Sequence, residues 1–170
     1  MKDVHETFMN GENLKQKCIE MLHDRGCEVD DIIDIVFDLQ KKYIPNLKRE
    51  VCWDAVDRVL GKREVQYAIL TGIELDYLAE EEKLREPLQS LVNSDNPLFG
   101  IDEILVLSIC NLYGSIGLTN FGYVDKVKPG IIGKLDLEGK QTGKCHTFLD
   151  DIIGAIAAAA ASSVAHNSHD

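Results

Sequence analysis

The chain has 170 residues, 45% of them hydrophobic and 28% charged, with a formal net charge of −11. That composition suits one folded domain, residues 1–170, with a real core, and excludes a disordered polymer. So acidic a balance argues against nucleic acid as the main partner, which needs a basic footprint.

Helical periodicity dominates from the start. Leu14, Cys18, Met21 and Leu22 share one face, with Asn13 expected as N-cap and Gly26 as stop. Asp30 and Asp31 then open a second amphipathic helix through Ile32, Ile33, Val36 and Leu39, with Lys41 and Lys42 expected in its last turn. Pro45 breaks it and Asn46 is placed to cap a third, whose apolar stripe runs from Leu47 and Val51 to Val59 and Leu60. A fourth fits Arg63 to about Glu80, with Val65, Ala68, Ile69, Gly72 and Ile73 inward. Leu84, Leu88, Leu91 and Val92 suggest a short fifth.

The acids Glu80, Glu81, Glu82 and Glu86 have helical spacing that can hold Mg²⁺. Interleaved Lys83 and Arg85 favour a solvated, ion-paired helix face instead. Asn93 to Gly100 reads as a loop. Ile101 to Gly114 is apolar nearly all round, the pattern of a buried helix, yet Asp102 and Glu103 open it. Lysines 126, 128, 134, 140 and 144 then make a locally basic stretch, suited either to an anionic ligand or to a solvated loop. Asp150 and Asp151 open a final run rich in alanine, expected at the centre of a bundle, and residues 166–170 read as a frayed tail. The fold class is therefore all-α: a compact multi-helix domain with a central small-residue-rich helix surrounded by others.

Five cysteines, an odd number without C-x-x-C spacing, read as reduced core thiols of a cytoplasmic protein. The N-terminal MKDVHETFMNGEN has no apolar segment of a secretory leader. The two most apolar runs, Ile101 to Leu112 and Ile152 to Ala165, fall short of the roughly 20 residues of a span, so no transmembrane helix is expected.

Two helix starts thus carry paired acids, Asp102-Glu103 and Asp150-Asp151, with Asp125 and Lys128 between them in sequence. If the two starts meet, their carboxylates form the oxygen-rich cluster a hard ion such as Mg²⁺ prefers, and Lys128 is placed to contact a phosphate. Otherwise each pair simply favours its own helix start by about 0.3–1 kcal/mol. There is no phosphate-binding G-x-x-x-x-G-K-[ST] motif, no G-x-S-x-G and no H-E-x-x-H. Cys145 and His146 are neighbours without the convergence a catalytic dyad needs, and His146 is a candidate acid/base through its nearness to Asp150.

The segment F-x-x-x-D-x-x-K-P (Phe121, Asp125, Lys128, Pro129), the downstream D-D-I (Asp150, Asp151, Ile152) and the upstream Asp102-Glu103 together resemble the phosphatidylglycerophosphatase A family. The likeness is to its short soluble branch, related to low-temperature-requirement protein C, and covers about residues 101–166. The resemblance implies an all-α, Mg²⁺-dependent phosphatase of phospholipid metabolism that converts phosphatidylglycerophosphate to phosphatidylglycerol. It implies Asp102, Glu103, Asp125, Asp150 and Asp151 as metal ligands, with Asp125, Lys128, Asp150 and Asp151 catalytic. Membrane-embedded members carry Arg where this chain has Gly122, Pro at Ile131 and Gly at His146. The expected protein acts on a phospholipid at the inner membrane surface as a peripheral, cytoplasmic enzyme, with self-association left open. The alternatives are a metal-dependent hydrolase of a soluble phosphate ester or nucleotide, and a non-catalytic helical interaction module.

Overall fold

A computed structural model describes residues 11–167, which are helical and contain no strand. The expectations about the leader and about the tail beyond Asn167 fall outside the described residues. The helices are α1 (Gly11–Asp24), α2 (Val29–Gln40), α3 (Arg49–Leu60), α4 (Arg63–Glu80), α5 (Leu88–Asn93), α6 (Ile101–Cys110), α7 (Gly114–Val127), α8 (Ile131–Thr142) and α9 (Leu149–Asn167). A 3₁₀ turn, Asn111–Tyr113, joins α6 to α7.

α9 is the axis of the fold. Every residue from Leu149 to Ser162 is buried, and the helix packs against α2, α3, α4, α6, α7 and α8. Alanine is the strongest helix former, so the run needs no long side chains to stay helical, and its smallness admits neighbours from all sides. Glycine extends this on both flanks. A Cβ on Gly72 of α4 would stand 2.6 Å from Ile152 Cδ1, and one on Gly154 would stand 3.3 Å from Val124 of α7. Both helices therefore close directly on the axis.

Several local expectations change. α1 begins before Asn13, so Asn13 is an interior residue and not a cap; Gly26, at φ 89°, does end the turn that follows. α2 stops at Gln40, which leaves Lys41 and Lys42 beyond its last turn. Its start is a capping box: Glu28 accepts from the Asp31 N–H while the Asp31 carboxylate accepts from the Glu28 N–H. Lys48, not Asn46, precedes α3; Asn46 is left-handed in the intervening turn (φ 61°), and Val51 faces solvent. α4 ends at Glu80, so the acid run never forms a continuous helix face: Glu80 turns inward, Glu81 pairs with Lys83, and Glu82 is left-handed.

The largest correction concerns Ile101 to Gly114, expected to be buried. On α6 only Asp102, Val106, Ile109 and Cys110 are buried, while Ile104 is 62% exposed. Residues 101–127 form a helical stretch long and apolar enough to cross a membrane, and only 28% of its apolar window is covered by the rest of the protein, against 83% for α9. It is longer than its sequence suggested because α7 continues the apolar pattern past Gly114. That glycine, at φ 70° and ψ −160°, bends the path between the two helices.

All five cysteines are buried free thiols. Burial raises their pKa values, to about 12 for Cys18 and Cys110, so they remain protonated core residues.

Candidate active site

Five segments converge at the start of α9: α4, the turn after α1, the α5–α6 loop, α6 and the end of α7. α4 comes first. Asp76, fully buried in the inward register of Gly72 and Ile73, accepts hydrogen bonds from the Phe148 N–H at 3.0 Å and the Leu149 N–H at 2.9 Å. These are the donors that a helix start leaves without intrahelical partners. A carboxylate from another helix therefore caps α9. Burial pushes the Asp76 carboxyl up to about 8, although the two backbone donors and Arg25 pull the other way.

Next to Asp76, the buried Arg25 guanidinium holds both Glu80 oxygens, at 2.6 and 3.0 Å, and donates to the Cys145 carbonyl. Glu80 also accepts from the Cys145 N–H at 2.8 Å, and Thr147 Oγ1 donates to the Val92 carbonyl. The segment 145–148 is thus fastened on the α4 side before α9 begins.

With the Phe148 and Leu149 donors met from outside, Asp150 takes only the N–H of Asp151, on Oδ1 at 2.9 Å, and Asp151 caps nothing among the described residues. Their carboxylates instead line a cavity of about 220 Å³ together with Asp102 and Glu103 of α6, Asp125 and Lys128 from the end of α7, and Asp95, Asn96, Pro97 and Gly100 from the α5–α6 loop. The two acid-bearing helix starts do meet. Lys128 Nζ lies 2.6 Å from Asp150 Oδ2 and 3.7 Å from Asp125 Oδ1. Lys128 itself terminates α7 in the left-handed region (φ 47°, ψ 60°), at a cost of roughly 1 kcal/mol for a residue with a Cβ. Asp95, across the cavity, is left-handed as well (φ 47°).

Negative charge exceeds positive here. Burial first, then the neighbouring charges of Asp150, Asp102 and Asp125, hold the Asp151 carboxyl well above the usual carboxylate range. Asp150 is raised by burial too, but less, because Lys128 stabilises its charged form. Burial also raises Asp102 and Asp95. Burial works against the Lys128 ammonium, yet the Asp150 carboxylate outweighs it and keeps the lysine protonated.

The donors present suit a hard divalent ion. They are carboxylates, and Asp102 Oδ1 is buried without a hydrogen-bond partner, as an unspent ligand would be. Among residues 11–167 no three acids converge at ligand spacing. An ion bound here would have to draw the carboxylates together and displace Lys128 from Asp150.

Asp95 lies outside residues 101–166 and was not singled out in the sequence, because an Asp within S-D-N-P is the ordinary composition of a turn. Asp76 was missed for another reason. Its register with Val65, Ile69 and Ile73 marks an inward carboxylate, but only the fold brings its partners. His146 is buried beside Arg25 rather than in the acid cavity, and Gly122 sits on exposed α7 with nothing within 4 Å of where a Cβ would stand.

A family model for phosphatidylglycerophosphatase A matches residues 28–166. The chain belongs to that family. It is 58% identical to the Bacillus subtilis protein YutG over 153 residues, covering 90% of this chain and 91% of YutG. A more distant likeness, 30% over 120 residues, is to MJ1330 of Methanocaldococcus jannaschii, covering 70% of this chain and 90% of that protein. Among solved structures, the crystal structure of ypjQ from B. subtilis superposes with a TM-score of 0.89 at 54% identity, covering 95% of this chain and 98% of its own. The low temperature requirement C protein from Listeria monocytogenes superposes with a TM-score of 0.86 at 55% identity, with coverage of 92% and 98%.

Proposed function

We propose that this protein is a Mg²⁺-dependent phosphatase that removes the terminal phosphate of a phospholipid head group, converting phosphatidylglycerophosphate to phosphatidylglycerol. One observation carries the reading: Asp76 caps α9, which frees Asp150 and Asp151 to face Asp102 and Asp125 across a cavity with more negative than positive charge. A helical module whose acids merely stabilise helix starts has no use for that arrangement.

Asp102, Glu103, Asp125, Asp150 and Asp151 would hold the ion. When bound, the ion supplies a Lewis acid for a phosphoryl oxygen and a water of lowered pKa. Lys128, kept protonated by its carboxylate neighbours, serves as a cation for a phosphate oxygen and not as a base. The left-handed turn at Lys128, held by its N–H donating to the Val124 carbonyl at 2.8 Å, sets that ammonium at the cavity wall.

The lipid part of the reading draws support from α6 and α7, which deliver Asp102, Glu103 and Asp125 to the cavity. The same helices leave Ile101, Ile104, Leu107, Ile116 and Leu118 exposed. A head group presented at a membrane surface would meet the acids beside an apolar face, which fits a peripheral protein on the cytoplasmic side.

The test is phosphate release from phosphatidylglycerophosphate in mixed micelles, from soluble phosphate esters and from nucleotides, each with Mg²⁺ and with chelator. Mg²⁺-dependent release from the lipid is expected. Release from soluble esters alone would overturn the substrate, and release from none would overturn the activity. Calorimetric titration showing no Mg²⁺ binding would remove the ion from the site.

A further inference from the structure

A second cavity, about 530 Å³, adjoins the first and shares Asp95, Pro97 and Asp150 with it as common wall. Its other walls are Asn93 and Ser94, the α8 residues Asp136, Gly139 and Lys140, and the segment Lys144 to Thr147. Nothing in the phosphatase reading so far uses it.

His146 is the informative wall residue. It is only 7% exposed. Arg25 Nη2 lies 3.1 Å from its Nδ1, and a guanidinium can only donate, so Nδ1 is the acceptor and Nε2 carries the hydrogen. That Nε2 is buried without a hydrogen-bond partner, with Glu138 Oε2 standing 3.6 Å away. Gly139 makes room for the ring, since a Cβ there would stand 3.3 Å from His146 Cδ2. The ring thus lines a polar cavity while its buried Nε2 donor makes no full hydrogen bond.

Charge at this cavity is less one-sided than at its neighbour: Lys140 and Lys144 stand against Asp95, Asp136 and Asp150, whereas Lys128 faces six acids in the other. Lys140 pairs with Asp136 at 2.7 Å and Lys144 with Glu138 at 2.9 Å, both lysines being exposed at the cavity wall. Paired lysines, acceptor carboxylates and one imidazole donor suit hydroxyl groups and a singly charged anion better than a bare dianion.

We infer that this second cavity is the leaving-group subsite, and that it takes the hydroxylated, phosphodiester-bearing alcohol from which the terminal phosphate is removed. The shared wall at Asp95, Pro97 and Asp150 puts the scissile phosphate in the acid cavity and the alcohol beside Lys140, Lys144 and His146. The inference rests on the phosphatase reading for its name, but the cavity's affinity can be measured without turnover.

The probe is glycerophosphoglycerol, a soluble phosphodiester with free hydroxyls and no terminal phosphate. It should bind the full chain and perturb the His146 ring nitrogens in ¹⁵N NMR spectra. The Lys140→Ala/Lys144→Ala double variant should bind it about tenfold more weakly, the worth of one charge-assisted hydrogen bond. In turnover the same variant should raise KM for phosphatidylglycerophosphate by a similar factor and affect phenyl phosphate, whose leaving group offers neither hydroxyl nor charge, by less. His146→Gln, which keeps a donor, should lose less than His146→Ala. Absence of binding to the unaltered protein overturns the inference, as does equal loss on both phosphate esters. Binding without hydrolysis of any ester keeps the subsite and removes the phosphatase.

Discussion

The two sides of the α9 start both hold carboxylates and treat them in opposite ways. On the α4 side, Asp76 and Glu80 meet backbone N–H groups and Arg25. On the other side, Asp102, Asp125, Asp150 and Asp151 share a cavity on whose wall Lys128 is the one cation among the described residues. Burial alone does not distinguish them, since Asp76, Asp150 and Asp151 are all buried. What differs is how many donors the fold supplies: Asp150 takes Lys128 and the Asp151 N–H, but Asp102 Oδ1 is buried with none, and the acids outnumber the cations. A satisfied buried acid serves architecture, and one left in electrostatic excess is held for something that arrives from outside.

Exchanging single acids should separate the two sides. The largest effect is expected for Asp151→Asn, which should lower Mg²⁺-dependent phosphate release by about 10³ or more, several kcal/mol of charge stabilisation. Its urea midpoint should stay level or rise, because the amide relieves repulsion among the acids. Retained turnover, or clear destabilisation, would put Asp151 with the structural acids.

Asp76→Ala should do the reverse. It leaves the Phe148 and Leu149 N–H groups buried without acceptors, a loss of about 2–4 kcal/mol visible in urea unfolding. Stability within error of the parent would mean that α9 is capped by other means.

Lys128→Met is a finer probe of the acid side. Asp150 loses a half-buried partner, so a stability loss of about 1 kcal/mol is expected. Mg²⁺ affinity in calorimetry should hold or increase, because the ion no longer competes with the ammonium, while KM for the phosphate ester should rise. Weaker Mg²⁺ binding would show that Lys128 organises the carboxylates and does not compete for them.

The last comparison is of pH dependence without metal. The Asp76 pKa is raised by burial to about 8 in the folded protein. Its contribution is fully present below about pH 4, the carboxyl range of an unfolded chain, and is lost as pH rises towards 8. Asp76→Asn, which cannot ionise, should flatten the fall in stability over that window. Equal slopes in urea titrations at pH 5, 6, 7 and 8 would assign the fall to the acids of the cavity.

Much of this was readable from the chain. The inward register of α4, the order of the helices and the alanine-rich axis follow from periodicity and side-chain size. The acid pairs at 102–103 and 150–151, with Asp125 and Lys128, are conspicuous because carboxylates beside apolar runs are costly. Caps were less readable. Asn13 and Asn46 have the right chemistry for N-caps, yet α1 starts before one and α3 well after the other, since packing of the apolar face outweighs about 1 kcal/mol of capping.

Sequence by itself determined that the protein is helical, that its last helix can lie at the centre, and that acids stand at two helix starts, because these are matters of propensity, period and residue type. Tertiary structure decided what those features do. Residues 101–127 and α9 are both apolar, but only the small side chains of α9 let six neighbours close around it, so one became the axis and the other kept an open face. The same packing brought Asp76, distant in sequence, onto the first turn of α9. That contact turned Asp150 and Asp151 from candidate caps into walls of a shared acid cavity, a result no local pattern encodes.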